Sequence, residues 1–224
     1  MRLEPGFLRR VGRAWAGFGL GITMALGFAL AAGQAGPAGN ALDRLTPEQQ
    51  KKLLAGQEVY EPRLRYEAEG GQPGFTAAAM IIINAPVEQC FKMFCDFDKQ
   101  SQFFPAITIS RVTSRSANRA VIYKELDYHV LTIRYTHILS IDPDKHRVDF
   151  ATDPTGENDV KFSQGFFQFE KLDDHRTLFT YGLVKLDPGI KIPEFIQKYM
   201  SSRDLPKMAI NLKKYIESGG QWRK

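Results

Sequence analysis

Alternation with a period of two dominates the middle of the chain. It is cleanest in "HVLTIRYTHILSI", residues 129–141, where Leu131, Ile133, Tyr135, Leu139 and Ile141 alternate with Thr132, Arg134, Thr136 and Ser140. That spacing predicts a strand with one buried face. His137 falls on the apolar side of it, a polar group placed where a core or a cavity must lie. Similar stretches predict strands over residues 107–112, 120–127, 130–141, 147–152, 160–172 and 177–186, with turn residues between most of them in "SRSANR", "DPDKH", "DPTGEND" and "LDDH". In residues 120–127 the pattern leaves two faces open: Tyr123, Glu125 and Asp127 share one, Ile122 and Leu126 the other. If Glu125 faced inward near His137, acid/base chemistry would become conceivable there.

Around this block the period changes. "FTAAAMIIIN" is a strand, and after Ala85-Pro86 the residues Val87, Cys90, Phe91 and Phe94 fall at helical spacing on one face. Asp96-Phe97-Asp98 ends that helix, and "KQSQFFP" predicts a second short one that stops at Pro105. Upstream, "LTPEQQKKLLAG" carries Thr46 as N-cap, Pro47 at the first helical position, Gln49 to complete a capping box and Gly56 beyond the end, a short helix expected on the outside of the domain. Pro62 inside "EVYEPRLRYE" makes that run an edge strand, and "EGGQPG" is a loop. Near the C-terminus Pro193 opens a helical region in which Leu205, Met208, Ala209, Leu212, Tyr215 and Ile216 form one stripe, with Lys207, Lys213 and Lys214 off it, until Gly219-Gly220. A meander of that size must bury one face, and the last helix is the long element left to cover it, so the expected class is α+β.

The order of elements, together with Ala85-Pro86, the pair Cys90-Phe91, Phe94, Asp96, Pro105, the strand Gly165-Phe166-Phe167-Gln168-Phe169, and Thr177 with Tyr181, resembles the START/SRPBCC superfamily, in particular its polyketide cyclase/dehydrase and coenzyme Q-binding branches. The resemblance spans Phe75 to Glu217. It implies a helix-grip fold, a curved antiparallel sheet wrapped around a long C-terminal helix with a hydrophobic cavity between them, and a ligand such as a lipid, sterol, quinone or polyketide. On that reading Phe91, Phe94, Phe104, Leu131, Ile133, Tyr135, His137, Phe167, Phe169, Tyr181, Met208 and Leu212 are the candidates to line the cavity. The rings among them either wall a cavity or fill a core. No catalytic residue, metal ligand or cofactor is expected.

Composition narrows the rest. The formal charge is +5, from 30 Lys and Arg against 25 Asp and Glu. Arg2, Arg9, Arg10 and Arg13 against Glu4 supply +3 of this before residue 36, which leaves 26 against 24 and argues against a nucleic-acid partner. The positive start, the uncharged run Ala14 to Ala32 and the small residues of "AGQAGPAGNA" predict residues 1–41 as an export signal, cut after Ala31, Ala35 or Ala41. The alternative is a membrane anchor over residues 14–32. Arg9-Arg10 resembles a twin-arginine signal, though Leu8 and Gly12-Arg13 fit that pattern poorly. Residues 42–74 then form an N-terminal helix and edge strand, 75–218 the main domain and 219–224 a tail. Cys90 and Cys95 would point roughly 140° apart on one helix, so two small buried thiols are expected and not a disulfide.

The isolated histidines His129, His137, His146 and His175 offer no metal-ligand spacing, and no nucleophile elbow, Walker loop or dinucleotide fingerprint occurs. The function expected is that of an exported carrier or sensor of a hydrophobic small molecule. A cyclase or dehydratase acting in the same cavity and an interaction module with a filled cavity remain as alternatives. The segment from Pro188 to Ser202 mixes Ile190, Ile192, Phe195, Ile196, Tyr199 and Met200 with Lys191 and Lys198, which suits either transient contact with a membrane surface or a clasp on the helix start.

Overall fold

The computed structural model describes residues 41–67, 73–189 and 192–224. Residues 1–40 of the expected signal, the alternative anchor, residues 69–72 of the expected loop, Ile190 and Lys191 lie outside the described residues. Eight strands form one antiparallel sheet: β1 (Val59–Glu67), β2 (Pro73–Ile83), β3 (Ile107–Arg115), β4 (Arg119–Asp127), β5 (Thr132–Asp142), β6 (Arg147–Thr152), β7 (Phe162–Lys171) and β8 (Thr177–Asp187). Their order is β1-β2-β8-β7-β6-β5-β4-β3, so the meander of β3 to β8 closes back on β2. The helices are α1 (Pro47–Leu54), α2 (Val87–Phe94), α3 (Glu194–Tyr199) and α4 (Leu205–Glu217), with 3-10 turns at Ala41–Arg44 and Phe97–Gln102.

β1 is an edge strand, as Pro62 requires, because a residue without an N–H cannot serve a ladder on both sides. It pairs with β2 and belongs to the same sheet as the rest. The near-continuous apolar run of β2 follows from burial on both faces. Ala77, Ala79, Ile81 and Ile83 face the main core, while Met80 and Ile82 pack with Leu53 of α1, Val59, Leu178, Ala41 and Leu42 in a second cluster on the outer face. The capping box that starts α1 is present, with the Thr46 side chain accepting from the Gln49 N–H and the Gln49 side chain accepting from the Thr46 N–H.

The predicted strand start at Val130 moves to Thr132. His129 adopts a left-handed φ of 65°, its N–H bonds to the Asp127 carboxylate, and Tyr128 N–H closes the turn on the Leu131 carbonyl. Val130 is thereby turned out to solvent, 73% exposed.

The C-terminal stripe packs as its spacing requires: Leu205, Met208, Ala209, Leu212, Tyr215 and Ile216 are all buried, chiefly against β2. Between α3 and α4 the backbone passes through a π-helical turn, Met200–Asp204. Pro206 accounts for it, because its ring and missing N–H are incompatible with the preceding turn of a regular α-helix. The tail is tied down: Trp222 packs on the core and Lys224 Nζ donates to the carbonyls of Phe104 and Ile107, both at 2.5 Å. Cys90 and Cys95 are free thiols, and burial pushes them up to about 11 and about 12 respectively.

Candidate functional site

The interior between sheet and C-terminal helix has two zones. Toward α2 it is filled with rings. Phe94, fully buried, meets Phe97, Phe103, Phe167, Phe169 and Phe179 at centroid distances of 4.7 to 6.4 Å, and Phe91 stands edge-on to Phe169 at 6.0 Å. Tilted and edge-on rings at these spacings are in the favoured geometry of aromatic pairs. Toward the π turn the interior opens into a cavity of about 100 Å³. Its wall is mostly apolar, from Phe104, Phe150, Val160, Leu183, Leu186 and Met208, and its mouth lies among Tyr128, Pro105, Met200, Asp204 and Leu205.

The structure therefore divides the residues expected to line a cavity. Phe104, Tyr135, His137, Tyr181 and Met208 line it. Phe91, Phe94, Ile133, Phe167, Phe169 and Leu212 are buried in the packed core, and Leu131 packs partly buried against that core. Sequence reasoning missed Tyr128, Phe150, Ser163 and Asp204. It also missed Lys124, which stands immediately behind the wall.

The polar groups of the cavity come from the inward faces of β4 to β8. His137 is buried, stacked on Phe150 at 4.9 Å, and its Nε2 shares a 2.7 Å hydrogen bond with Ser163 Oγ. Ser163 is held in turn by Thr152, whose Oγ1 lies 3.1 Å from Ser163 Oγ and accepts from the Ser163 N–H. Burial, and secondarily the charge of Lys124, hold His137 well below the usual imidazole range, so it stays neutral. Among the described residues no carboxylate orients its second ring nitrogen. The arrangement is a hydrogen-bonded chain and lacks the third member of a nucleophilic triad.

The strand β4 settles the choice left open by its pattern. Ile122, Lys124 and Leu126 face inward, and Glu125 lies on the outer face, accepting from the Tyr123 hydroxyl at 2.6 Å with Arg134 3.8 Å away. Glu125 and His137 are thus on opposite sides of the sheet. Lys124 is only 2% exposed, and its Nζ sits 5.0 Å from the Phe104 ring centroid and 6.0 Å from that of Tyr135. Two ring faces are its cation–π partners, and among the described residues no acceptor bonds to it. Burial lowers its ammonium to about 7.

At the mouth the Tyr128 hydroxyl donates to Asp204 Oδ2 at 2.7 Å, joining the β4–β5 turn to the π segment. Burial raises the Asp204 carboxyl above its ordinary value, and the Tyr128 hydrogen bond partly offsets that. Tyr128 also meets Tyr199 edge-on at 6.0 Å.

A long antiparallel sheet gripping a C-terminal helix, with an apolar cavity opening at one end of that helix, defines the helix-grip fold of START-like proteins. Solved structures share it. A STAR-related lipid transfer protein of Xanthomonas axonopodis aligns with a TM-score of 0.57 at 12% identity, covering 70% of this chain and 98% of its own. The Zhui aromatase/cyclase of a Streptomyces species aligns with a TM-score of 0.54 at 15% identity, covering 64% and 94%. A START superfamily protein of Mycobacterium smegmatis aligns with a TM-score of 0.53 at 14% identity, covering 64% and 97%. No family model matches the sequence, and no curated protein matches it. At these identities the likeness is one of fold.

Proposed function

We propose that this protein binds and carries a hydrophobic small molecule in the cavity between its sheet and C-terminal helix. The observation that carries the reading is the cavity itself, apolar along most of its wall and set beside a densely aromatic core. Apolar burial at roughly 25 cal/mol per Å² drives uptake into such a site. The names of two fold neighbours, a lipid transfer protein and an aromatase/cyclase, support the same class of ligand. Lipid mass spectrometry on protein purified without detergent is expected to recover an apolar molecule. A protein that neither retains nor takes up any such molecule would refute the carrier reading.

A second reading, acid/base chemistry on the bound molecule, draws on the neutral His137 bonded to Ser163. His137→Ala separates the two. A carrier loses affinity modestly, whereas an enzyme loses roughly 10² to 10⁴ in rate with folding intact.

The entrance also suits transient contact with a membrane surface. Phe195 is 63% exposed on α3, Tyr199 is exposed beside it, Val130 projects from the facing turn, and Lys198 and Arg203 stand among them. Phe195→Asp should slow exchange of the cargo with liposomes, and Lys198→Glu should weaken exchange chiefly with anionic vesicles at low salt. Rates indifferent to both would leave this segment a clasp on the helix start. Export remains part of the proposal. Burial of Ala41 and Leu42 in the outer cluster supports cleavage after Ala31 or Ala35 in preference to Ala41, and the mass of the native chain tests it.

A further inference from the structure

We infer that the cavity selects an apolar acid, with a carboxylate head held by the hydroxyls of Tyr135 and Tyr181 in front of the ammonium of Lys124. The inference rests on the carrier reading and names its ligand class.

Two phenol donors on the cavity wall, Tyr135 and Tyr181, and a lysine packed behind it, Lys124, have no hydrogen-bond partner among the described residues. Lys124 and Tyr135 are cross-strand partners on the inward face of β4 and β5, and Tyr181 comes from β8 opposite, so the two phenols line the same cavity. Buried polar groups are nearly always paired, and a buried ammonium without an anion is the costliest exception. Elsewhere in this interior His137, Ser163, Thr152 and Asn211 are all bonded, and the buried polar side-chain atoms without a partner, the Gln100 amide and Gln102 Oε1, belong to residues outside the cavity lining.

The missing partner must therefore accept hydrogen bonds and carry negative charge. A neutral ketone would serve the two hydroxyls and leave the ammonium unpaired. A hydrocarbon would serve none of the three. A carboxylate serves all three, and the apolar remainder of the cavity takes its body. Lys124 Nζ stands 5.0 Å from the ring centroid of Phe104 and 6.0 Å from that of Tyr135, two residues of the cavity wall, and its flexible stem carries three donors that can turn toward an anion in the cavity.

The charges around the lysine are consistent with this. His137 faces it from β5 and stays neutral, Tyr135 and Tyr181 are raised by burial and stay protonated, and Glu125 and Arg134 lie on the outer face. Asp204 is at the mouth, already bonded to Tyr128, and Lys224 caps the carbonyls of Phe104 and Ile107. With its ammonium lowered to about 7, Lys124 is largely neutral at about pH 8 in the empty protein, and an arriving carboxylate restores the charge by drawing a proton from solvent. Lys224, lowered to about 8, titrates nearby, and substitution at Lys124 separates the two.

Isothermal titration of the full chain at about pH 8, in two buffers of different ionisation enthalpy, reads both affinity and proton uptake. Decanoate with decan-1-ol, and 2-naphthoate with 2-naphthylmethanol, test a chain-like and an aromatic body. At least one acid is expected to bind roughly 10-fold or more tighter than its alcohol, the scale of a hydrogen bond to a charged group, and to take up close to one proton. Lys124→Met should bring the acid to the affinity of its alcohol and abolish the uptake. Tyr181→Phe should weaken the acid and leave the alcohol nearly unchanged. Equal binding of acid and alcohol overturns the inference, and so does an acid preference that survives Lys124→Met with uptake intact. If no acid binds while neutral lipids are recovered from the native protein, the inference fails and the carrier reading stands. If nothing binds and nothing is recovered, both fail.

Discussion

Lys124 also makes a prediction about stability that needs no ligand. Its ammonium is taken from water into a site with two ring faces for company and is lowered from 10.5 to about 7. At 1.36 kcal/mol per pKa unit, keeping it charged in the folded protein costs roughly 5 kcal/mol, an upper value because the side chain can turn toward water in the cavity. The folded pKa lies below the unfolded one, so between about 7 and 10.5 the unfolded chain binds the proton that the folded chain rejects, and stability rises with pH across that window. Below about 7 the full cost is present. Methionine keeps most of the stem and removes the charge. Urea unfolding of wild type and Lys124→Met from about pH 6 to 10 should show the variant several kcal/mol more stable at the acid end. The gap should shrink by up to about 1.4 kcal/mol per pH unit above 7 as the two curves converge. A variant that is less stable than wild type, by an amount independent of pH, would show that the ammonium has a partner and refute the reasoning.

Other substitutions test the two-zone interior. Phe94→Ala empties the centre of the ring cluster and should cost about 3–5 kcal/mol in urea unfolding, because five neighbouring rings cannot collapse into the space. Gly165→Ala should cost roughly 1–3 kcal/mol by the same measure, since a Cβ there would collide with the Gly182 carbonyl and reach 2.5 Å from the Phe150 ring. Tyr128→Phe removes the donor that lowers the Asp204 carboxyl and should move its titration further up, read by carbon NMR of that side chain.

Much of the architecture was already determined by the sequence. The capping box of Thr46 and Gln49, the edge position imposed by Pro62, the alternation of residues 131–141 and the stripe from Leu205 to Ile216 are local signals. Each is governed by backbone geometry within a few residues, and each appears in the fold, the alternation with two local departures: Leu131 falls before the strand and Thr136, on the polar face, is buried. The face of β4 was not legible, because an alternating strand announces two sets of residues and the sheet's neighbours choose between them. Lys124 flanked by Ile122 and Leu126 at period two was the available signal. The division of the rings was also beyond the sequence, since Phe94 and Phe104 are chemically alike and only their distance from the π turn makes one fill and the other wall. The π turn at Met200–Asp204 was not read from the sequence, and its tie to Tyr128 depends on a strand turn some seventy residues away. Periodicity fixes which residues are buried together. Whether they close on one another or around a cavity is decided by how the curved sheet and the helix meet, a property of long-range contacts that no local pattern encodes.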